Sequence, residues 1–464
     1  MIRPMIATLA CLVSLASCGR EDAADPDQRV RDLQSAALSD ERAWALLSSL
    51  TQEVGHRLAG SPGDHAAVQW AVEAMGELGF DRVWLEPVSF PYWVRRHERG
   101  AIVGQPGEPL DLTALGGVPG TDGPVQAEVV HFPSLAALEA VPDDSLNGRI
   151  AFISQSMPRS QDGSGYSLVV PQRSRGPFVA QRKGAKALLI RSVGTDFENS
   201  APHTGAISST EPGTPLPSAA LSNESADLLV ETLGAGPVTV ELDLDCGFDG
   251  VAESSNVIGE FDGSGPGGEF LLIGGHLDSW DLGTGAHDDG AGVVITMVAA
   301  ALVAEQPRRP RRGIRVVLFA NEEQGIYGGK QYAEAHGDEL DRHVLGSESD
   351  LGADRIYEFR TRLSDEGDLA RPLLERWLAP LDIPFNASSP ASGGADIGQI
   401  RKIGLAVVDL RHDASQYFDL HHTRKDVLEN VSRDDLAFNI AAWVTMLQWA
   451  ADSDVAFGPV APSP

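Results

Sequence analysis

The chain predicts an α/β protein: a mixed, mostly parallel sheet flanked by helices, interrupted by an inserted β-rich domain. Three observations carry this. From Asn256 onward, short apolar strands alternate with loops and helical segments; residues 39–78 repeat their apolar positions at helical spacing; and between about Glu98 and Asp249 short apolar runs are broken by frequent Gly, Pro and Ser. Alternating strand and helix is the pattern that buries a parallel sheet between helical layers. With 464 residues and 42% hydrophobic content, the chain can bury a large core and has the length of two or three domains.

The first eighteen residues hold one early cation, Arg3, then an apolar run from Ile6 to Leu15, then Ala16-Ser17-Cys18. The run is too short to span a membrane and predicts a signal peptide over residues 1–18. Small residues before Cys18 fit the lipoprotein type, in which that Cys becomes the lipidated mature N-terminus; a simple cleaved signal with an incidental Cys is the alternative. Residues 19–30 are expected to be an acidic tether, and the mature protein is expected to be exported, periplasmic or in the cell envelope, with membrane contact only through that anchor.

Ala43, Leu46, Leu47 and Leu50, then Ala67, Trp70, Ala71, Ala74 and Met75, predict two helices separated by Gly60-Ser-Pro-Gly63. Residues 83–90 alternate as a strand. Residues 98–249 are expected to be the insert, with residues 171–183 and 212–217 as loops, and residues 31–97 and 250–464 to fold together as one catalytic domain. Within the latter, Phe270–Ile273, Ile314–Phe319 and Leu405–Leu410 predict strands. Ser432-Arg-Asp-Asp435 predicts a capped final helix whose Leu436, Ile440, Trp443, Val444 and Leu447 share one face.

The formal charge of −30, from 66 acidic and 36 basic residues with no basic block, excludes nucleic acid as a partner and predicts a solvated acidic surface. Of three cysteines, Cys11 and Cys18 lie in the signal, so the mature body keeps only Cys246 and cannot form an internal disulfide. Acidic neighbours argue against a thiol nucleophile there.

The chemistry gathers where strands end. Gly274-Gly-His-Leu-Asp-Ser-Trp-Asp-Leu-Gly-Thr-Gly-Ala-His-Asp-Asp-Gly follows the first strand and holds His276, Asp278 and Asp288. In open α/β sheets ligands bind beyond the carboxyl ends of strands, and imidazole with carboxylate is the donor set of a zinc site that keeps an exchangeable position. After the next strand, Ala320-Asn-Glu-Glu-Gln-Gly325 offers adjacent carboxylates, Glu322 and Glu323, suited to divide metal binding from proton handling. Ser347-Glu-Ser-Asp350 ends a further strand, and His421-His-Thr-Arg-Lys-Asp426 precedes the last helix. Singly, each piece is ordinary: a surface pair, a helix start, a loop. Gly283-Thr-Gly285 lacks the spacing and the lysine of a phosphate loop.

Together and in this order they resemble peptidase family M28, the di-zinc aminopeptidase family, and within it the branch typified by carboxypeptidase Q, with an inserted protease-associated domain. The resemblance spans nearly the whole mature chain. It implies a zinc-peptidase fold and two Zn2+ per chain: His276 and Asp350 on one ion, Glu323 and His422 on the other, Asp288 bridging. Glu322 matches the general acid/base and Asp278 the carboxylate that orients His276. His422 rather than His421 matches the ligand, because Asp426 follows it by four positions. Asp396 matches a loop beside the substrate pocket, with a structural role there as the alternative, and His287 departs from the family pattern and is expected to face solvent rather than to contact substrate. The implied reaction is hydrolysis of the N-terminal peptide bond of short peptides or dipeptides by a metal-bridged hydroxide; a homodimer is compatible with the family. Two rivals share the fold: a single-zinc glutaminyl cyclase and a non-catalytic binding module. The complete ligand set and Glu322 argue against both.

Overall fold

The computed structural model describes residues 25–104, 109–208 and 210–462. The expected signal peptide, Cys18 and the first part of the tether lie outside the described residues. The strands, in chain order, are β1 (Arg82–Ile102), β2 (Leu112–Ala114), β3 (Val125–Phe132), β4 (Ile150–Ile153), β5 (Ala187–Arg191) and β6 (Ser218–Leu221). They continue as β7 (Thr239–Phe261), β8 (Phe270–His276), β9 (Gly313–Phe319), β10 (His343–Glu348), β11 (Ile356–Arg362) and β12 (Val407–His412).

Four central strands, in the order β12-β10-β8-β9, run parallel, with β11 antiparallel to β12 at one edge and β7 antiparallel to β9 at the other. Both faces are covered, which explains why β8 and β9 are buried at every position instead of alternating in polarity. Leu271, Ile273, Val316 and Leu318 face one layer, which includes the helices Ala291–Ala304 and Arg433–Ala451. Leu272, Val317 and Phe319 face the other, against Tyr332, Ile397 and Ile400. The helix Ala291–Ala304 is buried on all sides, hence apolar all round. Ser432 caps the last helix by accepting from the Asp435 N–H.

The structure differs from the sequence reading at the N-terminal end. Pro26–Leu38 is a helix, so the expected tether is helical from Pro26; Asp25 caps it, Pro26 occupies its first position, and Val30, Leu33 and Ala37 pack into the core. Acidic and polar neighbours hide this short apolar stripe in the sequence. The two following helices, Arg42–Ser49 and Pro62–Glu77, flank Gly60-Ser-Pro-Gly63 as expected.

In the insert, β3, β4, β5 and β6 pair in parallel, and β2 closes the edge antiparallel to β6. Helices accompany these strands, so the insert is a mixed α/β layer. Residues 171–183, expected to be a loop, form the short helices Pro171–Ser174 and Gly176–Arg182, each with proline near its start; Phe178, Val179 and Ala180 are buried beneath. The insert joins the core through β1 and β7, which pair antiparallel from Arg82↔Glu260 to Ile102↔Val240. The expected boundaries at 97/98 and 249/250 fall inside these strands. β7 pairs with β9 near its C-terminal end and with β3 near its N-terminal end, so one strand belongs to both sheets.

Candidate metal centre

The carboxyl ends of β8, β9 and β10, with the loop after β12, converge on one point, the place such a sheet reserves for ligands. His276, the last residue of β8, sets its Nε2 3.1 Å from Asp288 Oδ1 and 3.5 Å from Asp350 Oδ1. Its Nδ1 lies 3.0 Å from the Asp278 carbonyl oxygen. A proton on Nδ1 satisfies that carbonyl, so Nε2 is the nitrogen turned to the two carboxylates. His422 repeats the arrangement: Nδ1 is 3.2 Å from the Thr204 carbonyl oxygen, and Nε2 is 3.0 Å from Glu323 Oε2 and 3.2 Å from Asp288 Oδ2. Asp288 therefore presents one oxygen to each histidine.

Three carboxylates hold these groups in place. The backbone N–H groups of His287 and Asp288 donate to Asp426 at 2.6 and 3.2 Å. Those of Glu322 and Glu323 donate to Asp278 at 2.9 and 3.3 Å. The carboxylate of Asp278 is 3.7 Å from His276 Nδ1, so it chiefly fixes the two glutamates; its backbone carbonyl orients the histidine. Asp289 accepts from the backbone N–H groups of His276 and Gly292, both at 3.1 Å.

Arg57, fully buried, clamps the loop between His276 and Asp288. Its Nε donates to the Leu277 carbonyl at 2.6 Å, and its guanidinium nitrogens reach those of Thr284 at 2.6 Å and Gly285 at 3.0 Å. Burial pulls its pKa down against the nearby carboxylates Asp426 and Asp278. Neither Arg57 nor Asp289 was signalled by the sequence, because nothing local marks a charged residue as buried. For Asp289 the Asp288-Asp289 doublet was the one available hint.

The protonation pattern is that of a site built for cations. Burial lowers the pKa of His276, but contacts with Asp278, Asp288 and Asp350 outweigh it and raise the group well above its usual range. His422 is raised to about 9 by Glu323 and Asp288 against the effect of burial. Burial likewise raises Asp288, yet His276 and His422 hold it well below the ordinary carboxylate range. Burial pushes Glu323 up to about 7 despite His422. Asp288 Oδ2 and Glu323 Oε1 are buried without hydrogen-bond partners. Two imidazole nitrogens turned to carboxylates, which give up a proton when a metal binds, and a buried Glu323 oxygen without a hydrogen-bond partner form a donor set that fits zinc.

The structure brings together all five residues expected as ligands and places Glu322 on the wall of the same cleft, of about 360 Å3. Glu322 is raised well above the usual carboxyl range by burial first, His276 opposing and Asp350 and Glu323 adding. The structure also places His421, His287 and Asp396. His421 is a neighbour of His422: its ring stacks on that of His422 at 3.5 Å and its Nε2 lies 3.7 Å from Asp288 Oδ2. His287 does not face solvent; it is buried, with Nε2 3.1 Å from the Asn430 carbonyl oxygen, because Asp426 draws its backbone inward. Asp396 does not line the cleft. It is buried, accepts from the Gly329 N–H at 2.8 Å, and its own N–H and those of Ala395 and Ile397 donate to Glu348. Asp396 thus braces the loop behind the site.

Comparison with known proteins gives the family. The model of peptidase family M28 matches residues 256–446, the stretch that holds every metal-type residue described above. Carboxypeptidase Q of Mus musculus is 31% identical over 419 residues, covering 89% of this chain and 86% of that one. The Homo sapiens protein of the same name is 30% identical over 447 residues, covering 95% and 90%. Among solved structures, a Peptidase M28 precursor from Shewanella amazonensis SB2B superposes with a TM-score of 0.90 at 41% identity, covering 94% of this chain and 99% of that one. A zinc aminopeptidase from Bacillus subtilis, at 18% identity and a TM-score of 0.63, covers 87% and 94% and shares the fold. Similarity over most of its length means that the chain belongs to peptidase family M28.

Proposed function

We propose that this M28 metallopeptidase is an exported exopeptidase that holds two zinc ions and hydrolyses the N-terminal peptide bond of short peptides or dipeptides. His276 and His422 each facing one oxygen of Asp288, with Asp350 beside the first and Glu323 beside the second, carry the reading. His276 and Asp350 would hold one ion, Glu323 and His422 the other, and Asp288 both. When bound, such a pair supplies Lewis-acid polarisation of the scissile carbonyl and lowers the pKa of the attacking water. Glu322, on the cleft wall, accepts the proton of that water at a carboxylate oxygen and delivers it to the leaving nitrogen. Asp278 fixes the backbone from which Glu322 projects. The apolar segment 6–15 followed by Ala16-Ser17-Cys18 supports export and lipid attachment at Cys18.

The deciding experiment measures zinc per chain and hydrolysis of a panel of dipeptides and aminoacyl anilides, for the mature wild type beside Glu322→Ala. Two ions in both proteins, with cleavage by the wild type alone, is the expected result. A wild type that binds zinc but cleaves nothing sinks the reading, and a single zinc with cyclisation of N-terminal glutamine replaces it with the cyclase.

A further inference from the structure

The loop that carries His422 is held from the insert. Residues 203 and 204, between β5 and β6, lie against it, and both are buried. The Thr204 N–H donates to the His422 carbonyl at 3.1 Å, and the Thr204 carbonyl oxygen lies 3.2 Å from His422 Nδ1. One residue earlier, His203 Nδ1 lies 2.7 Å from the His421 carbonyl oxygen. A carbonyl only accepts, so Nδ1 of His203 carries a proton and donates it.

His422 needs such support. Its φ of +62° lies in the left-handed region, which a residue with a Cβ rarely occupies unless its surroundings hold it there. The carbonyls of His421 and His422 belong to the planar peptides on either side of the His422 Cα, so their directions set its φ and ψ. His203 holds the first peptide and Thr204 the second, and Thr204 also holds the ring. Two consecutive residues of the insert thus fix the backbone and the side chain from which His422 Nε2 points to Glu323 and Asp288.

His203 is itself anchored. Its Nε2 lies 2.9 Å from Asp196 Oδ1, and Asp196 also accepts from the Ala201 N–H at 2.7 Å and from Lys425 Nζ at 3.2 Å. The His203 N–H donates to Ser192 Oγ at 2.8 Å, and its ring lies over Gly194, where a Cβ would come within 2.2 Å of Cε1 and Nε2. A buried histidine–aspartate pair that served the insert alone would direct both ring nitrogens within it; here one is directed at the residue before a metal-type ligand. We propose that His203, oriented by Asp196, is a positioning residue for the zinc site of Glu323, His422 and Asp288, setting the His421–His422 peptide so that His422 Nε2 faces that site. This rests on the two-zinc reading above. The insert is then a working part of the metal centre.

The test titrates zinc into the metal-free mature protein against a competing chelator, so that two affinities are read separately, for wild type, His203→Gln, His203→Asn and Leu138→Ala. The amide nitrogen of Asn falls near Nδ1 of the ring it replaces and can donate to the His421 carbonyl; that of Gln falls near Nε2 and reaches only Asp196. His203→Gln is expected to weaken one zinc about 10- to 100-fold and to leave the other as in the wild type, and His203→Asn to keep most of the affinity. Leu138, buried in the helix Leu135–Glu139 of the insert, supplies the control for general damage: Leu138→Ala is expected to lower the melting temperature of the metal-free protein with both zinc affinities intact. An unweakened His203→Gln, an equal loss in His203→Asn, an equal weakening of both ions or the same selective loss in Leu138→Ala overturns the role of His203 alone. A wild type that binds one zinc or none overturns the two-zinc reading as well.

Discussion

The carboxylate of Asp278 accepts the backbone N–H of Glu322 at 2.9 Å, so the residue two positions after one metal-type ligand sets the position of the acid/base candidate in the loop after β9. Asn at 278 keeps one acceptor oxygen and turns an amide donor toward the other N–H. Asp278→Asn is expected to lower kcat about 10- to 100-fold, with zinc content at saturating metal unchanged. Wild-type turnover by this variant would show that Glu322 is positioned by other means.

Arg57 joins the N-terminal helices to the loop that separates His276 from Asp288. Arg57→Met removes its charge but leaves buried carbonyls unpaired, at about 1–3 kcal/mol each. Denaturant unfolding is expected to show a loss of at least about 3 kcal/mol, together with weaker zinc retention on dialysis. Unaltered stability would mean that water or a neighbour replaces the guanidinium.

Metal removal separates folding from filling of the site. Without a cation, the buried acids Asp288 and Glu323 and the half-buried Asp350 stay crowded around two histidines, and a ligand that binds only the folded state stabilises it by mass action. The chelated protein is expected to melt several degrees below the zinc-loaded one and to recover on adding zinc, with the stabilisation reaching about 2.7 kcal/mol at a hundredfold excess over Kd. Identical melting of the two forms would contradict a resident ion.

Asp396 contributes one part of the pH dependence of the metal-free protein. Burial, with Asp278 and Asp350 adding and His276 opposing, pushes its carboxyl up to about 8. The folded state then keeps a proton that the unfolded chain loses near pH 4. Stability from this group is full below about pH 4 and falls as pH rises to about 8, at up to about 1.4 kcal/mol per pH unit. Asp396→Asn is expected to flatten the curve in that window; a variant curve parallel to the wild type assigns the slope to other groups.

Most of the centre was legible in the sequence because each ligand candidate sits just past a recognisable apolar strand or before the capped last helix. Strand ends in a parallel sheet are neighbours in space, so order along the chain became proximity. Arg57 and Asp289 were not legible: Arg57 takes its meaning from carbonyls more than two hundred positions away, and Asp289 from a loop that turns it back onto the His276 N–H. His287 was misplaced for a related reason, since a histidine among aspartates resembles a solvated turn until Asp426 is seen to pull the segment inward. The helix Pro26–Leu38 was hidden by the polar residues around its narrow buried stripe.

The shared strand β7 has a consequence for biosynthesis. β1 finds its partner only when residues 239–261 exist, so its long edge stays without a mate while the whole insert emerges. The insert's parallel strands β3 to β6 all precede that event and can assemble first. On the ribosome or after translocation, the nested unit would form ahead of the unit that encloses it, and its completion would bring β7 to the waiting β1. Circular permutants opened between β6 and β7 would reverse that timetable without altering a single native contact elsewhere.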